Sequence, residues 1–169
     1  MKVFKEQQRF TQTWLVFLLI VSTLIPFGIL INEFVKNEST MKIETLFWVM
    51  GLLLVFTIPI FFFRLITRID EKGIHYQFLP FHFSLKTIRW NEITKAYIRV
   101  YDPIGDYGGW GLKGGALWNR KNGKAINVSG DVGIQLELTN GKKLLIGTQK
   151  KDEATRVLET YKHKILQDG

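Results

Sequence analysis

The sequence predicts a two-helix transmembrane hairpin followed by a mostly antiparallel β domain that one amphipathic helix closes. Three observations carry this. Trp14 to Ile31 and Thr45 to Phe63 are uncharged apolar runs of eighteen and nineteen residues, the hydrophobic pattern changes from Thr67 onward to a period of two, and the last segment returns to helical spacing. The chain of 169 residues has a mean hydropathy near zero, +0.04, only because it averages unlike parts. Of its net charge of +8, most lies after Ile66. This composition excludes a purely soluble enzyme and a disordered chain. The lack of cysteine excludes a disulfide framework, thiolate metal sites and a cysteine nucleophile.

Each apolar run is long enough for a bilayer core of ~30 Å at a helical rise of about 1.5 Å per residue. Neither shows the polar face that a buried soluble helix presents. Pro26 and Pro59 are tolerated better in a membrane helix than in a soluble one. The helices are expected at residues 13–32 and 45–64, inside an N-terminal region 1–66, with the second domain at 67–169. Lys2, Lys5 and Arg9 could form a signal-peptide n-region, but the first run exceeds an h-region and ends without a small-residue cleavage site, so it is read as retained.

Lysine and arginine crowd the outer flanks, Lys2, Lys5 and Arg9 before the first run and Arg64, Arg68 and Lys72 after the second. The connection Asn32 to Glu44 carries only Lys36 and Lys42 beside three glutamates. The positive-inside rule then makes the protein a multi-pass protein of the cell (inner) membrane with both termini cytoplasmic. Trp14 and Trp48 suit an aromatic belt. With no ionisable residue inside either run, the hairpin reads as an anchor, or a surface for self-association, and not as an ion pathway. Ser22, Thr23 and Thr57 should bond their own backbone or the neighbouring helix. With only Arg64 to Thr67 between helix and strand, the domain is expected against the inner leaflet.

In the second domain Ile74, Tyr76 and Phe78 alternate with polar residues, as do Val132, Ile134, Leu136 and Leu138. Asn140-Gly141 and Asn122-Gly123 predict two-residue hairpin turns with positive φ at both positions, and Glu71-Lys72-Gly73 a third turn. Ala154, Val157, Leu158, Tyr161 and Ile165 form the apolar stripe of a final helix. Thr148 can cap it, with Asp152 and Glu153 in its first turn and Lys162, His163 and Lys164 in its last.

Ile69-Asp70-Glu71-Lys72-Gly73-Ile74 resembles the opening hairpin of bacterial pleckstrin-homology-like (PH-like) domains, and Ile88-Arg89-Trp90-Asn91-Glu92-Ile93 is similar to their Ile-x-Trp-x-x-Ile segment. Tyr107-Gly108-Gly109-Trp110-Gly111 and Ile146-Gly147-Thr148 resemble segments of the small membrane-anchored members. The resemblance spans residues 65–165. It implies an antiparallel, partly open barrel of about seven strands plugged by the C-terminal helix. It also implies that Trp90 and Ile93 are core residues. It brings no single activity. The first hairpin loop holds two acids and one lysine, which departs from phosphoinositide-gripping members of the fold.

Gly109 to Gly114 is a literal G-x-G-x-x-G, but a turn sequence and not a helix follows it, so nucleotide binding is not expected. His75 lies on the polar face of a strand, His82 in a turn and His163 at a helix end. All three read as surface histidines without ligand spacing, which leaves no metal, no cofactor and no catalytic residue expected. His82 with Ser84 is a base–nucleophile pair in sequence only. No RNP-type motif argues for nucleic acid.

The remaining chemistry is in Asp102 to Arg120, where six glycines surround aromatic and basic residues. Tyr107, Trp110, Lys113, Trp118 and Arg120 are the candidates for binding a protein partner. The competing reading, that Trp110 and Trp118 fill the domain core, is the more frequent role of such aromatics. Lys142, Lys143, Lys150 and Lys151 are the candidates for contact with the membrane surface. Two functions follow: a non-enzymatic membrane-anchored interaction module that binds a protein or serves as an assembly or sensory subunit, or a module whose basic face reads anionic lipid.

Overall fold

The computed structural model describes residues 2–36, 42–114 and 122–166. The chain divides into two compact units, residues 10–63 and residues 1–9 with 64–169.

The first unit is a helical hairpin. Helix α1, Thr13–Lys36, is 24 residues long, about 36 Å at the α-helical rise. Helix α2, Ile43–Thr57, passes into a 3₁₀ turn, Ile58–Phe62, at Pro59, which has no N–H to continue the ladder. Both stretches are long and apolar enough to cross a membrane. Ser22 and Thr23 donate to the Leu19 carbonyl and Thr57 to that of Leu53, which spares three hydroxyls from facing an apolar phase alone. The Thr23 and Thr57 oxygens meet across the hairpin at 3.3 Å. Among the described residues of this unit almost nothing is buried: Leu19 is, while Phe17, Phe47, Trp48 and Phe56 are exposed.

The second unit has two sheets and a terminal helix. One sheet has the order β1-β2-β3-β4 (Phe4–Arg9, Arg64–Asp70, Gly73–Leu79, Lys86–Arg89), antiparallel throughout. After a 3₁₀ turn at Trp90–Glu92, strand β5 (Ile93–Val100) begins the other. Helix α3 (Pro103–Tyr107), β6 (Gly111–Lys113), β7 (Lys124–Asn127), β8 (Val132–Leu138), β9 (Lys143–Gly147) and α4 (Lys151–Leu166) complete the chain. The second sheet has the order β5-β8-β9-β7-β6, with β7 and β9 parallel.

The mostly antiparallel β domain with its terminal helix is as expected, but the strand count needs correcting. The described strands number nine, not about seven, and they form two sheets that do not close into one barrel. The 3₁₀ turn at Trp90 breaks the ladder between β4 and β5. On the other side the sheets meet through side chains of β1. The domain boundary also moves: the first nine residues, expected with the hairpin, belong to the sheets.

Strand β1 is hidden in the sequence because its inward residues are Phe4, Glu6 and Gln8, of which only the first is apolar. The Glu6 carboxylate and the Gln8 amide nitrogen find partners in the second sheet and its exit, while Gln8 Oε1 is buried without one among the described residues. Gln8 Nε2 donates to the Gly147 carbonyl at 2.7 Å. The Glu6 carboxylate accepts the Thr148 hydroxyl at 2.6 Å and the Gln149 amide at 2.8 Å, at the start of α4. Carboxylate at a helix N-terminus suits the free amides and dipole there. Tyr161 of α4 donates to the Lys2 carbonyl at 2.7 Å.

The core under the first sheet is Phe4, Leu65, Ile69, Ile74 and Phe78, and the α4 stripe Ala154, Val157, Leu158, Tyr161 and Ile165 is buried as expected. Trp90 is core: it stacks on Tyr161 and its Nε1 donates to the Asp70 carbonyl at 3.0 Å. Ile93 is buried beside it in sequence. The β8–β9 turn departs from the expected form. Gly141 alone has positive φ, +76°, and its N–H bonds the Leu138 carbonyl, so the connection is a three-residue loop, a β-turn ended by a glycine bulge, and not the two-residue turn expected.

The register pairs Arg9 with Arg64, so the apolar hairpin interrupts what is otherwise a β-hairpin. Replacing residues 10–63 by Asn-Gly should therefore leave a soluble chain with cooperative thermal unfolding. A fragment 67–169, which lacks β1 and the first three residues of β2, should aggregate or melt far lower. Equal melting of the two chains would exclude β1 from the fold.

Candidate functional site

The β2–β3 turn builds the most elaborate polar site. Strand alternation puts Arg68 and Asp70 of β2 on the outer face, and the register pairs Arg68 with His75 and His75 with Thr87. Asp70 Oδ1 accepts the Lys72 amide at 2.9 Å and lies 3.0 Å from His75 Nε2, while Arg68 Nε meets Oδ2 at 2.9 Å. His75 Nδ1 lies 2.8 Å from the Thr87 hydroxyl. Nε2 faces the carboxylate and Nδ1 the hydroxyl, which can accept from a protonated ring or donate to a neutral one, so carboxylate, imidazole and hydroxyl form one chain. Burial pushes the Asp70 carboxyl up. The hydrogen bonds from His75 and Lys72, with the charges of His75 and Arg68, outweigh that and hold it below its ordinary range. Beside this chain lies an open cavity of about 370 Å³ lined by Val3, Leu85 and the charged turn residues.

His75 is thus a correction to the sequence reading: it is buried and doubly hydrogen-bonded, not a solvated surface residue. Sequence spacing placed it on the polar face correctly but could not show that Asp70 and Thr87 flank it there. The chain pins a tight turn and an edge strand, with Thr87 exposed to solvent. Among the described residues, no three His, Asp or Glu side chains converge as metal ligands.

The described part of the glycine–tryptophan segment, Asp102 to Gly114, packs Tyr107 on the second sheet and then joins it as β6. Asp102 caps α3 by accepting the Ile104 amide at 2.9 Å, and Gly108, at φ +73°, ends it while its N–H returns to the Ile104 carbonyl. This folds Tyr107 onto Tyr101, Ala125 and Leu145, a small core on the sheet face opposite in parity to Leu144 and Ile146. The Tyr107 hydroxyl donates to the Asn122 carbonyl and accepts from Arg99, and burial pushes its phenol above the usual range. Of the partner-binding candidates, Tyr107 is accordingly a buried packing residue. Trp110 is half-buried, with Nε1 donating to the Gly130 carbonyl at 3.0 Å. Lys113 is half-buried at the end of edge strand β6. Trp118 and Arg120 lie outside the described residues. In the G-x-G-x-x-G run, the Gly111 amide is given to Asn127 Oδ1.

The four lysines do not form one patch. Lys142 and Lys143 lie at the β8–β9 turn, and Lys150 and Lys151 beyond the opposite end of β9. All four are exposed. The β8–β9 turn is tied to Glu92 through the Thr139 amide, at the edge of the first sheet remote from Arg9 and Arg64. Lys150 pairs with Glu153 and donates to the Lys5 carbonyl.

Two features escaped the sequence reading. Lys5 pairs with Arg68 and Arg9 with Arg64, so β1 and β2 set like charges opposite each other. In the β3–β4 connection, Phe81, Phe83 and Leu85 are exposed. The signal was present as Leu-Pro-Phe-His-Phe-Ser-Leu, an apolar composition where a polar turn is ordinary.

Comparison of the chain with protein-family models, curated proteins and solved structures finds no match.

Asp70 supplies a test of the turn. Its carboxyl is more acidic folded than unfolded, so the stability it contributes is full above the ordinary carboxylate value and is lost as pH falls through the lowered one. Asp70→Asn should cost roughly 1.5–3 kcal/mol near neutral pH, the worth of hydrogen bonds to a charged group. The gap from wild type should close in melts below about pH 4. A gap independent of pH would remove the ionised carboxylate from the turn.

Proposed function

We propose that this chain is a non-enzymatic, membrane-anchored interaction module that presents a PH-like β domain at the cytoplasmic face of the cell membrane and binds a protein partner there. The β1–β2 ladder is the observation that carries the anchor. Strands paired over six residues flank the apolar hairpin, and paired strands cannot lie on opposite sides of a bilayer. An apolar hairpin with both ends on one side follows, and the lysine and arginine excess at those ends makes that side cytoplasmic.

The partner surface is centred on Trp110. Its half-buried ring and the exposed Ile104 and Leu112 sit on the capped α3–β6 segment, by β6, the last strand in the order of the second sheet. A rigid backbone carrying partly exposed aromatic and aliphatic groups loses little entropy on binding.

A second reading, recognition of anionic lipid, draws on the like-charged Arg9–Arg64 pair where the chain leaves for the hairpin. Two guanidiniums held opposite each other are stabilised by a phosphate between them.

Topology is checked by labelling single cysteines introduced at Lys142 and, in the hairpin connection, Asn37. The first should react only from the cytoplasmic side and the second only from outside, and the reverse pattern would end the reading. Partner capture is checked by affinity isolation of the full chain in mild detergent. Trp110→Ala should abolish capture while costing only about 1–2 kcal/mol, since its ring is half-buried, against roughly 3–5 kcal/mol for the core control Trp90→Ala. A Trp110→Ala chain that melts as low as Trp90→Ala would make Trp110 a packing residue.

A further inference from the structure

We propose that the β3–β4 loop, residues 80–85, is a third membrane attachment: an apolar tip that enters the boundary between lipid headgroups and acyl chains. The proposal rests on the anchored reading above and adds a contact made by the β domain itself.

Phe83 is 92% exposed and Phe81 56%. The loop is not a loose one that could fold them away. The His82 amide donates to the Phe78 carbonyl at 2.8 Å, and His82 Nδ1 accepts the Phe78 amide at 3.2 Å. Gln77 Nε2 holds the His82 carbonyl at 3.1 Å. Phe81 stacks on Phe78, and the His82 ring meets Tyr76 edge-on. The backbone is thereby fixed with Phe83 directed outward and with Leu85 exposed beyond it. A preorganised apolar tip marks a surface built for an apolar phase.

The sheet register says which phase. Arg9 pairs with Arg64 and Arg64 with Leu79, so the loop springs from the same sheet edge at which the chain leaves for the apolar hairpin and returns from it. At the strand spacing, Leu79 is about 10 Å from Arg9. Arg9, Arg64 and the exposed Lys86 rim the tip with positive charge. Phenylalanine and leucine below a rim of lysine and arginine suit an interfacial depth of about 5–10 Å, with the cations at the headgroups.

The chain has no cysteine, so Ser84→Cys labels the loop uniquely with both phenylalanines intact. The full chain is reconstituted in phosphatidylcholine–phosphatidylglycerol vesicles with an environment-sensitive fluorophore at residue 84, at Leu24→Cys in α1, or at Lys142→Cys. The label at 84 should show blue-shifted emission and lose intensity to lipids carrying a doxyl quencher near the headgroup. The label at 24 should respond most to deep quenchers, and that at 142 should report water. Phe81→Ser with Phe83→Ser should return the label at 84 to water and leave residue 24 unchanged. Residue 84 in water with residue 24 in lipid overturns the loop proposal alone. Residue 24 in water overturns the anchored reading and this proposal with it. A label at 84 shielded from water yet unquenched by lipid would mean that protein covers the loop, such as a second copy of the chain, and overturns the proposal. So would a label that stays in lipid after both phenylalanines are replaced.

Discussion

The β1–β2 ladder is the constraint on which the rest of the β unit depends. It joins residues separated by the whole apolar hairpin, and it carries Glu6 to the start of α4, 142 residues further along the chain. Without β1, the Thr148 hydroxyl, the Gln149 amide and the Gly147 carbonyl would each lose a partner, and Phe4 would leave the core. Buried polar groups without partners cost more than the same bonds contribute, so the strand and the helix start stand or fall together. Closing so long a loop is entropically unfavourable. The hairpin offsets much of that, because it already brings its own ends together, with the Phe10 and Phe63 rings 6.1 Å apart.

A second constraint decides what the glycine–tryptophan segment can do. The middle of β8 is buried on both faces, including Gly133 and Gln135, which simple alternation would leave exposed. The cover on one face is Tyr107, held by α3 and its glycine cap, and Arg99 bridges it to Gln135. One part of the segment is therefore spent on the fold. The other part, from Gly109 to Lys113, runs to the edge of the sheet, where Trp110 remains half-exposed.

Much of this was legible in the sequence. The apolar runs, the α4 stripe, the existence of strand β8 and the core positions of Trp90 and Ile93 all follow from periodicity or resemblance, although β8 is buried on both faces where alternation predicted one. What was not legible is polar. Strand β1 buries Glu6 and Gln8, so its alternation has no hydrophobic signature. His75 reads as solvated because the partners that bury it, Asp70 and Thr87, come from a turn and a neighbouring strand. Tyr107 reads as a binding residue because its cover role depends on a sheet face whose second burial no local pattern announces. Hydrophobic spacing reports which face is apolar, and it is silent on polar groups that a fold satisfies over long range.

The same limits bear on how an anchored domain is oriented. A single flexible tether leaves a domain free to tumble beside a surface. Two attachments through adjacent paired strands remove most of that freedom, but Arg9 and Arg64 are only about 5 Å apart and define little more than a line. Rocking about that line would remain. A third contact would limit it only if it reached away from that line; Leu79 continues the row of Arg9 and Arg64, so in the proposed arrangement that reach falls to the loop beyond it. Rigidity in the loop then matters as much as its apolarity, because a contact on a flexible arm would leave the domain free to rock. The bonds of His82 to β3 fix the loop backbone, so in the proposed arrangement a side chain that sequence marks only as a turn histidine would supply that rigidity.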